Sequence, residues 1–461
     1  MAVHISDHAL YRNSWSTPEL RAVFEDRAQV AGWVEVMAVL AEVQAEFGLI
    51  PADAAAELAA ACRALPVDEA LLDEARAGFE RSNQSLLGLI QAVQRRCPGA
   101  SGEWLCYGAT VQDITDTHTA RVLVQAREIF AARLATIAAA LADLARRHRD
   151  TPMCGRTHGQ PGLPVSFGFK AAGWLDEILR HRRRLDEIGA RMGVCQLAGG
   201  VGSLSSLGPE PIALQRRFCE RLGLAAPSIS WTAARDRLAD WLSLLALFTA
   251  TADRIGHETY NLQRPEIGEL AEGFVPGTVG SITMPQKRNP EISEHLGTLA
   301  RTVRHHAALM LESLVHDHER DGRSWKTEWA IVPPACLAAD KALALLGTLL
   351  ENLDVRPARM LENLAATQGF VYAERVMLEL APQLGKQSAH ALVYQVAMDA
   401  AERGQDFRAA LLAEPRILAG LGAERIHGLF DPGASLGACG AMVDRVLAEW
   451  ADLAEAEHGA G

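Results

Sequence analysis

The stretch from Asp113 to Asp150 constrains this chain more than any other. It repeats apolar residues at helical spacing with no glycine or proline to interrupt it. At about 1.5 Å per residue such a helix is roughly 50 Å long. Three further stretches have the same scale: from after Pro164 to about Gly189, from Ala234 to Gln263, and from near Glu291 to about Glu319. The third of these four puts Leu238, Trp241, Leu242, Leu245, Phe248 and Ile255 on one face. Helices of this length carry more apolar surface than one small domain covers, which points to a bundle assembled between subunits.

The two ends of the chain are built on a shorter scale. Ser16-Thr17-Pro18-Glu19 supplies a capping hydroxyl, a first-turn proline and an early acid, and apolar spacing then continues from Leu20 to Val43 until Gly48 and Pro51. Helical stretches follow from about Asp53 to Leu65 and from Leu86, and the cluster Pro98 to Gly102 closes the region. Beyond Val355, Gly369, Pro382, Gly385, Gly404 and Pro415 separate short helical patterns. The expected domains are therefore 1–107, a central long-helix bundle 108–354 carrying a loop at 277–290, and 355–461. No sustained strand alternation is visible, and the only extended candidate is the piece from Gly199 to Leu207.

Composition narrows the class of function. The net charge of -12 argues against a nucleic-acid surface. No apolar run approaches the length needed to span a bilayer, and the N-terminus lacks a basic segment followed by an apolar one, so a cytoplasmic location away from membranes is expected. The eight cysteines never form a CxxC pair, which removes zinc ribbons and disulfide frameworks. Cys154, four residues before His158, reads as packing.

Five polar segments interrupt these patterns. The loop GSITMPQKRNP, Gly280 to Pro290, lies between long helices, and Ser281, Lys287 and Asn289 offer a hydroxyl, a cation and an amide to one small anion. A loop of this composition also serves as a plain connector. The segment Gly108 to Thr117 opens the first long helix, where free N–H groups can hold a carboxylate, although Thr110 or Asp113 acting as a simple cap explains it equally. His158, in Gly155 to Pro161, is either catalytic or a structural turn residue. The glycines of Gln196 to Ser203 allow close backbone approach or a simple turn. In HERDGRSWKTEW, His318 to Trp329, the cations Arg320, Arg323 and Lys326 suit anionic groups and Trp325 a pocket wall, or the segment is a solvated helix end.

The order of residues in the first loop resembles the signature of the aspartase/fumarase superfamily, GSSxMPxKxNP, and departs from it only where Ile282 replaces a second serine. Two more family patterns precede it in the family's order: GxTSxDxxDT at Gly108, with Val111 in place of serine, and GRTHxQ at Gly155. The HERDGRSWKTEW segment is similar to one that marks the carboxymuconate cycloisomerase branch, which groups with adenylosuccinate lyases. The resemblance implies an all-α fold of three helical domains. A central bundle of five long helices would form a twenty-helix core in a homotetramer, with active sites each built by three subunits. It implies no cofactor and no metal, and a small dicarboxylate as substrate. It assigns Ser281 as the base, Lys287 and Asn289 as stabilisers of the developing charge and His158 as the candidate acid. Thr110, Gln112, Thr157, Gln160 and Met284 become substrate contacts, beside Arg320 and Arg323.

The reaction so implied is β-elimination from an N-substituted succinate to give fumarate. A carbanion beside an ionised carboxylate must be held as a doubly charged aci-carboxylate, which is what the loop's cation and amide would serve. Amino-, hydrazino- and nitrosuccinate types and an adenylosuccinate-like substrate all fit. Against the last stands Asn83-Gln84-Ser85, where adenylosuccinate lyases carry Arg-His-Asp. The alternatives are lactonisation of carboxymuconate and a non-catalytic scaffold, the second disfavoured by the retained Ser281, Lys287, Asn289 and His158.

Overall fold

The structure, a computed structural model, describes residues 4–273 and 280–459; positions 277–279 of the expected loop lie outside them. Nineteen α-helices occur among the described residues. The five longest are Val111–Arg147, Phe167–Met192, Asp236–Gln263, Glu291–Glu312 and Gly322–Glu351. The chain divides into two compact units, Met1–Arg133 with Arg182–Ala252 and Thr298–Ala344, and Leu134–His181 with Asp253–Gly297 and Leu345–Gly461.

In the first unit, Thr17 accepts the N–H of Leu20 and so caps Pro18–Phe24, as its sequence position predicts. Its hydroxyl also donates to the wholly buried Asp340, which Arg133 reaches from the other side at 3.0 Å. The apolar run after Leu20 is broken at Glu25, whose extended backbone separates that helix from Asp26–Glu46. Val36, Met37, Leu40 and Val43 of the second helix pack with Leu58, Leu214 and Phe218. Phe130, Trp241 and Phe248 interlock nearby, with Phe130 edge-on to Trp241 at 5.6 Å. The second unit has its own core, in which Val376, Leu380, Phe407, Leu411, Ile417, Ile426 and Leu429 are buried together.

Three expectations need correction. The fold is mostly helical rather than all-α, because β1 (Pro152–Thr157) pairs antiparallel with β2 (Gln160–Ser166), and β3 (Leu270–Ala271) with β4 (Asp354–Val355). The expected extended piece at 199–207 is instead turn and bend, held by the Leu204 N–H on the Ala198 carbonyl. The real ribbon contains Gly155, Pro161, Gly162 and Pro164, residues that read as breakers; a two-stranded ribbon has only edge strands, where proline is tolerated. Finally, the helix from Glu291 stops at Glu312 and a new one starts at Gly322, after Asp321 accepts the N–H of Arg323.

That last helix carries Pro333 and Pro334 in its interior, which hides its period in the sequence. Among the described residues it is also the one helix long and apolar enough to cross a membrane. Its placement is that of a core helix, with Ala335, Cys336, Ala339, Ala342 and Leu346 wholly or nearly wholly enclosed and the carboxylate of Asp340 paired inside.

Candidate active site

In the first unit, Asp113 organises the opening of the Val111–Arg147 helix. Its carboxylate accepts the N–H groups of Thr110, Ala198 and Gly199 at 2.9, 2.9 and 3.0 Å. One acid thus caps the helix and draws in the glycine loop at 196–203 through the backbone of Ala198 and Gly199. Burial pushes the Asp113 carboxyl up to about 7 against the pull of these three donors. Gly108, at φ +70°, is required here, since a Cβ would lie 2.5 Å from the Ser206 carbonyl. The next helical turn is tied inward by Thr117, whose hydroxyl donates to the Gln196 carbonyl at 2.6 Å.

The predicted contacts of this unit differ in access. Gln112 is fully buried; its amide nitrogen donates to the Thr232 carbonyl at 3.1 Å, and its Oε1 has no partner among the described residues. Thr110 is half-buried and its hydroxyl accepts from Arg320, so these two predicted residues are brought together. Arg323 is exposed and held by Asp317 and Asp321 at 2.7 and 2.9 Å. Much of the HERDGRSWKTEW segment is structural. Glu328 and Asp116 enclose the buried Arg235 in four hydrogen bonds of 2.6 to 3.1 Å, and Trp325 meets Trp329 edge to face at 4.9 Å. Burial opposes the Arg235 charge, yet the two carboxylates outweigh it and hold the guanidinium above its ordinary range.

In the second unit, Thr157 and Gln160 face each other across the end of the β1–β2 ribbon, with His158 and Gly159 as its two-residue tip. Both tip residues have positive φ, +54° and +76°, as a type I′ turn demands. Histidine is among the non-glycine residues that enter this region more readily, and here its imidazole stands exposed. Behind the tip, Arg156 makes a two-pronged pair with the wholly buried Glu269 at 2.8 and 2.7 Å, and Asn363 donates to the same carboxylate at 2.8 Å. Thr157 also lines a cleft of about 600 Å³ with Lys170, Arg254, His257 and Glu258, in which Lys170 pairs with Glu258 at 2.6 Å. Cys154 is buried, and that burial raises its thiol above the ordinary range, in keeping with a packing role.

The loop from Gly280 folds back on itself in the same unit. Ser281 Oγ accepts the N–H of Met284 at 3.1 Å, and Lys287 closes a turn by donating its N–H to the Met284 carbonyl at 3.0 Å. Asn289 donates its side-chain amide to the Gly280 carbonyl at 3.0 Å, closing the base of the loop. Ile282 is 97% exposed, Met284 and Lys287 are exposed, and Ser281 is half-buried. Sequence reasoning passed over Glu269 and Glu272, whose roles rest on distant partners; closely spaced acids at 266–272, just ahead of the loop, were the available signal.

The chain is similar to known proteins over most of its length. Residues 12–304 match the lyase family and residues 369–446 the adenylosuccinate lyase C-terminus. The chain is 39% identical to the N-acetyl-S-(2-succino)cysteine lyase of Enterococcus italicus, over 98% of each chain. It is 37% identical to the 3-carboxy-cis,cis-muconate cycloisomerase of Pseudomonas aeruginosa, over 93% of this chain and 94% of that one. The crystal structure of a fumarate lyase from a Mesorhizobium species matches with a TM-score of 0.88 at 37% identity, covering 95% of this chain and 99% of that one. A family match over most of the chain and relatives well above 30% identity over nearly its whole length show that the chain belongs to the aspartase/fumarase superfamily of lyases.

Proposed function

We propose that this lyase removes a proton from C3 of a succinate and expels a heteroatom substituent from C2, releasing fumarate. Ser281 takes the proton, Lys287 and Asn289 stabilise the aci-carboxylate, and His158 protonates the departing group. The observation that carries this reading is the Met284 N–H aimed at Ser281 Oγ. A donor fixed on that oxygen favours its alkoxide, the form that a serine base needs. Thr110, Gln112, Thr157, Gln160, Met284, Arg320 and Arg323 are the proposed substrate contacts.

The favoured leaving group is the sulfur of a cysteine-type thiol, with amines second. Val111 and Ile282 replace two hydroxyls of the family pattern by apolar side chains, which suits a weakly hydrated thioether better than a charged amine. Similarity to a succinocysteine lyase over 98% of both chains points the same way. The cycloisomerase reading draws on HERDGRSWKTEW, but Glu328 and Trp325 of that segment are occupied in packing and pairing.

The working form we propose is a homotetramer with each site built from three subunits, around a core of twenty long helices. Supporting it, Leu247, Leu309, Leu311 and Val315 remain 39 to 73% exposed on or beside long helices of the first unit. The test is to incubate the enzyme separately with a succinyl thioether of N-acetylcysteine, an N-substituted succinate and carboxymuconate, and follow fumarate. Release from the thioether supports the reading; lactone formation without fumarate from either succinate rules it out.

A further inference from the structure

We propose that Glu272 is a positioning residue that, with Gln263, clamps the described part of the GSITMPQKRNP loop at its exit and so holds Ser281 in register for proton removal. The catalytic meaning of this clamp rests on the function proposed above. Glu272 is half-buried and directly follows β3, whose pairing with Asp354 and Val355 fixes the backbone from which its side chain projects. Its carboxylate accepts the N–H groups of Ile292 and Ser293 at 3.1 and 2.7 Å, in the first turn of Glu291–Glu312. The Glu272 N–H in turn donates to Gln263 Oε1 at 2.8 Å, and the other end of that amide reaches the Arg288 carbonyl at 3.5 Å.

Two adjoining side chains therefore grip the backbone at 288, 292 and 293, immediately after Lys287. Inside the loop the tie from Asn289 to the Gly280 carbonyl passes this anchorage on to the residue beside Ser281. A carboxylate is the right group for the position: it accepts from two parallel N–H donors and meets the positive end of a long helix. A glutamine there would serve one donor and set its own NH₂ against the other.

The test is Glu272→Gln, with Gln263→Leu as a second variant acting on the same clamp. Each variant is measured for fumarate release, for exchange of the C3 proton with deuterated solvent, and for amide hydrogen exchange along the chain. Displacing a catalytic group by about 1 Å lowers turnover on the order of 10²-fold. Such a fall is expected in kcat with KM nearly unchanged, C3 exchange falling in parallel, and the double variant little worse than the poorer single one. Amide exchange should quicken at 280–293 and nowhere else in that unit. Unaltered kcat, multiplying losses, or quickened exchange throughout the unit would overturn the clamp. Should the unaltered enzyme release no fumarate, the functional reading falls, while amide exchange at 280–293 still decides whether the clamp exists.

Discussion

Gly280 lies so close to Lys287 that a Cβ on it would sit 2.6 Å from the Lys287 carbonyl oxygen. That contact closes the loop at the residue next to Ser281, and no side chain fits there without moving the backbone of Lys287 and Arg288. Gly280→Ala is therefore expected to lower turnover by about 10²-fold through displacement of both groups. The loop is exposed and shares little of the core, so the melting temperature should hardly move. Thermal unfolding run beside steady-state kinetics checks both halves of this expectation.

His158 is expected to matter in proportion to the basicity of the leaving group. An amine must be protonated as it departs, whereas a thiolate leaves more readily without help. His158→Asn keeps a polar side chain at the positive-φ tip and removes the titrating group, and should lower turnover of an amine substrate by roughly 10² to 10⁴. The loss on a thioether should be smaller. Equal losses on the two substrates would remove His158 from the proton-transfer role.

How legible this was in the sequence depends on how far apart the interacting residues stand. The loop at 280–290 and the cap at Asp113 are local patterns, so residue order alone locates them. The β1–β2 ribbon is also local, but Pro161 and Pro164 disguise it; the residue pair His158-Gly159 was the usable turn signal. Glu269 is paired across 113 positions with Arg156, and Arg235 across 119 and 93 positions with Asp116 and Glu328. Such carboxylates look solvated until the chain folds, because no periodicity records which cation they will meet. In the HERDGRSWKTEW segment, Glu328 is such a carboxylate: it pairs with Arg235 in the interior.

Arg235 gives the sharpest stability test. Its side chain is 1% exposed, and Arg235→Met would leave Asp116 and Glu328 facing each other with no cation between them. Breaking a buried pair from one side destabilises by about 3 to 5 kcal/mol. Denaturant unfolding of the variant should show a loss of that order, with partial recovery when Glu328→Gln is added.

His118 should make stability depend on pH. Burial, followed by the nearby Arg121 charge, lowers its pKa from 6.5 to about 4, and neither ring nitrogen has a partner among the described residues. A folded value below the unfolded one means that the unfolded chain binds the extra proton first. The contribution is complete above about pH 6.5 and is lost as pH falls through about 4, amounting to roughly 3 kcal/mol at most. The imidazole packs over Gly32, where a Cβ would lie 1.9 Å from its Cε1; His118→Leu removes the titration, so its unfolding midpoint should fall less than that of the unaltered protein between pH 6.5 and 4.

The central claim is that Ser281 removes a proton from C3 of a 2-substituted succinate. Run backwards in deuterated water with fumarate and N-acetylcysteine, the enzyme should place one deuterium on the carbon next to the sulfur-bearing carbon, seen by proton NMR as a single deuterated product. Ser281→Ala should form none of it while still binding fumarate in calorimetry. A variant that keeps making the deuterated adduct at the unaltered rate would contradict the assignment of Ser281 as the base.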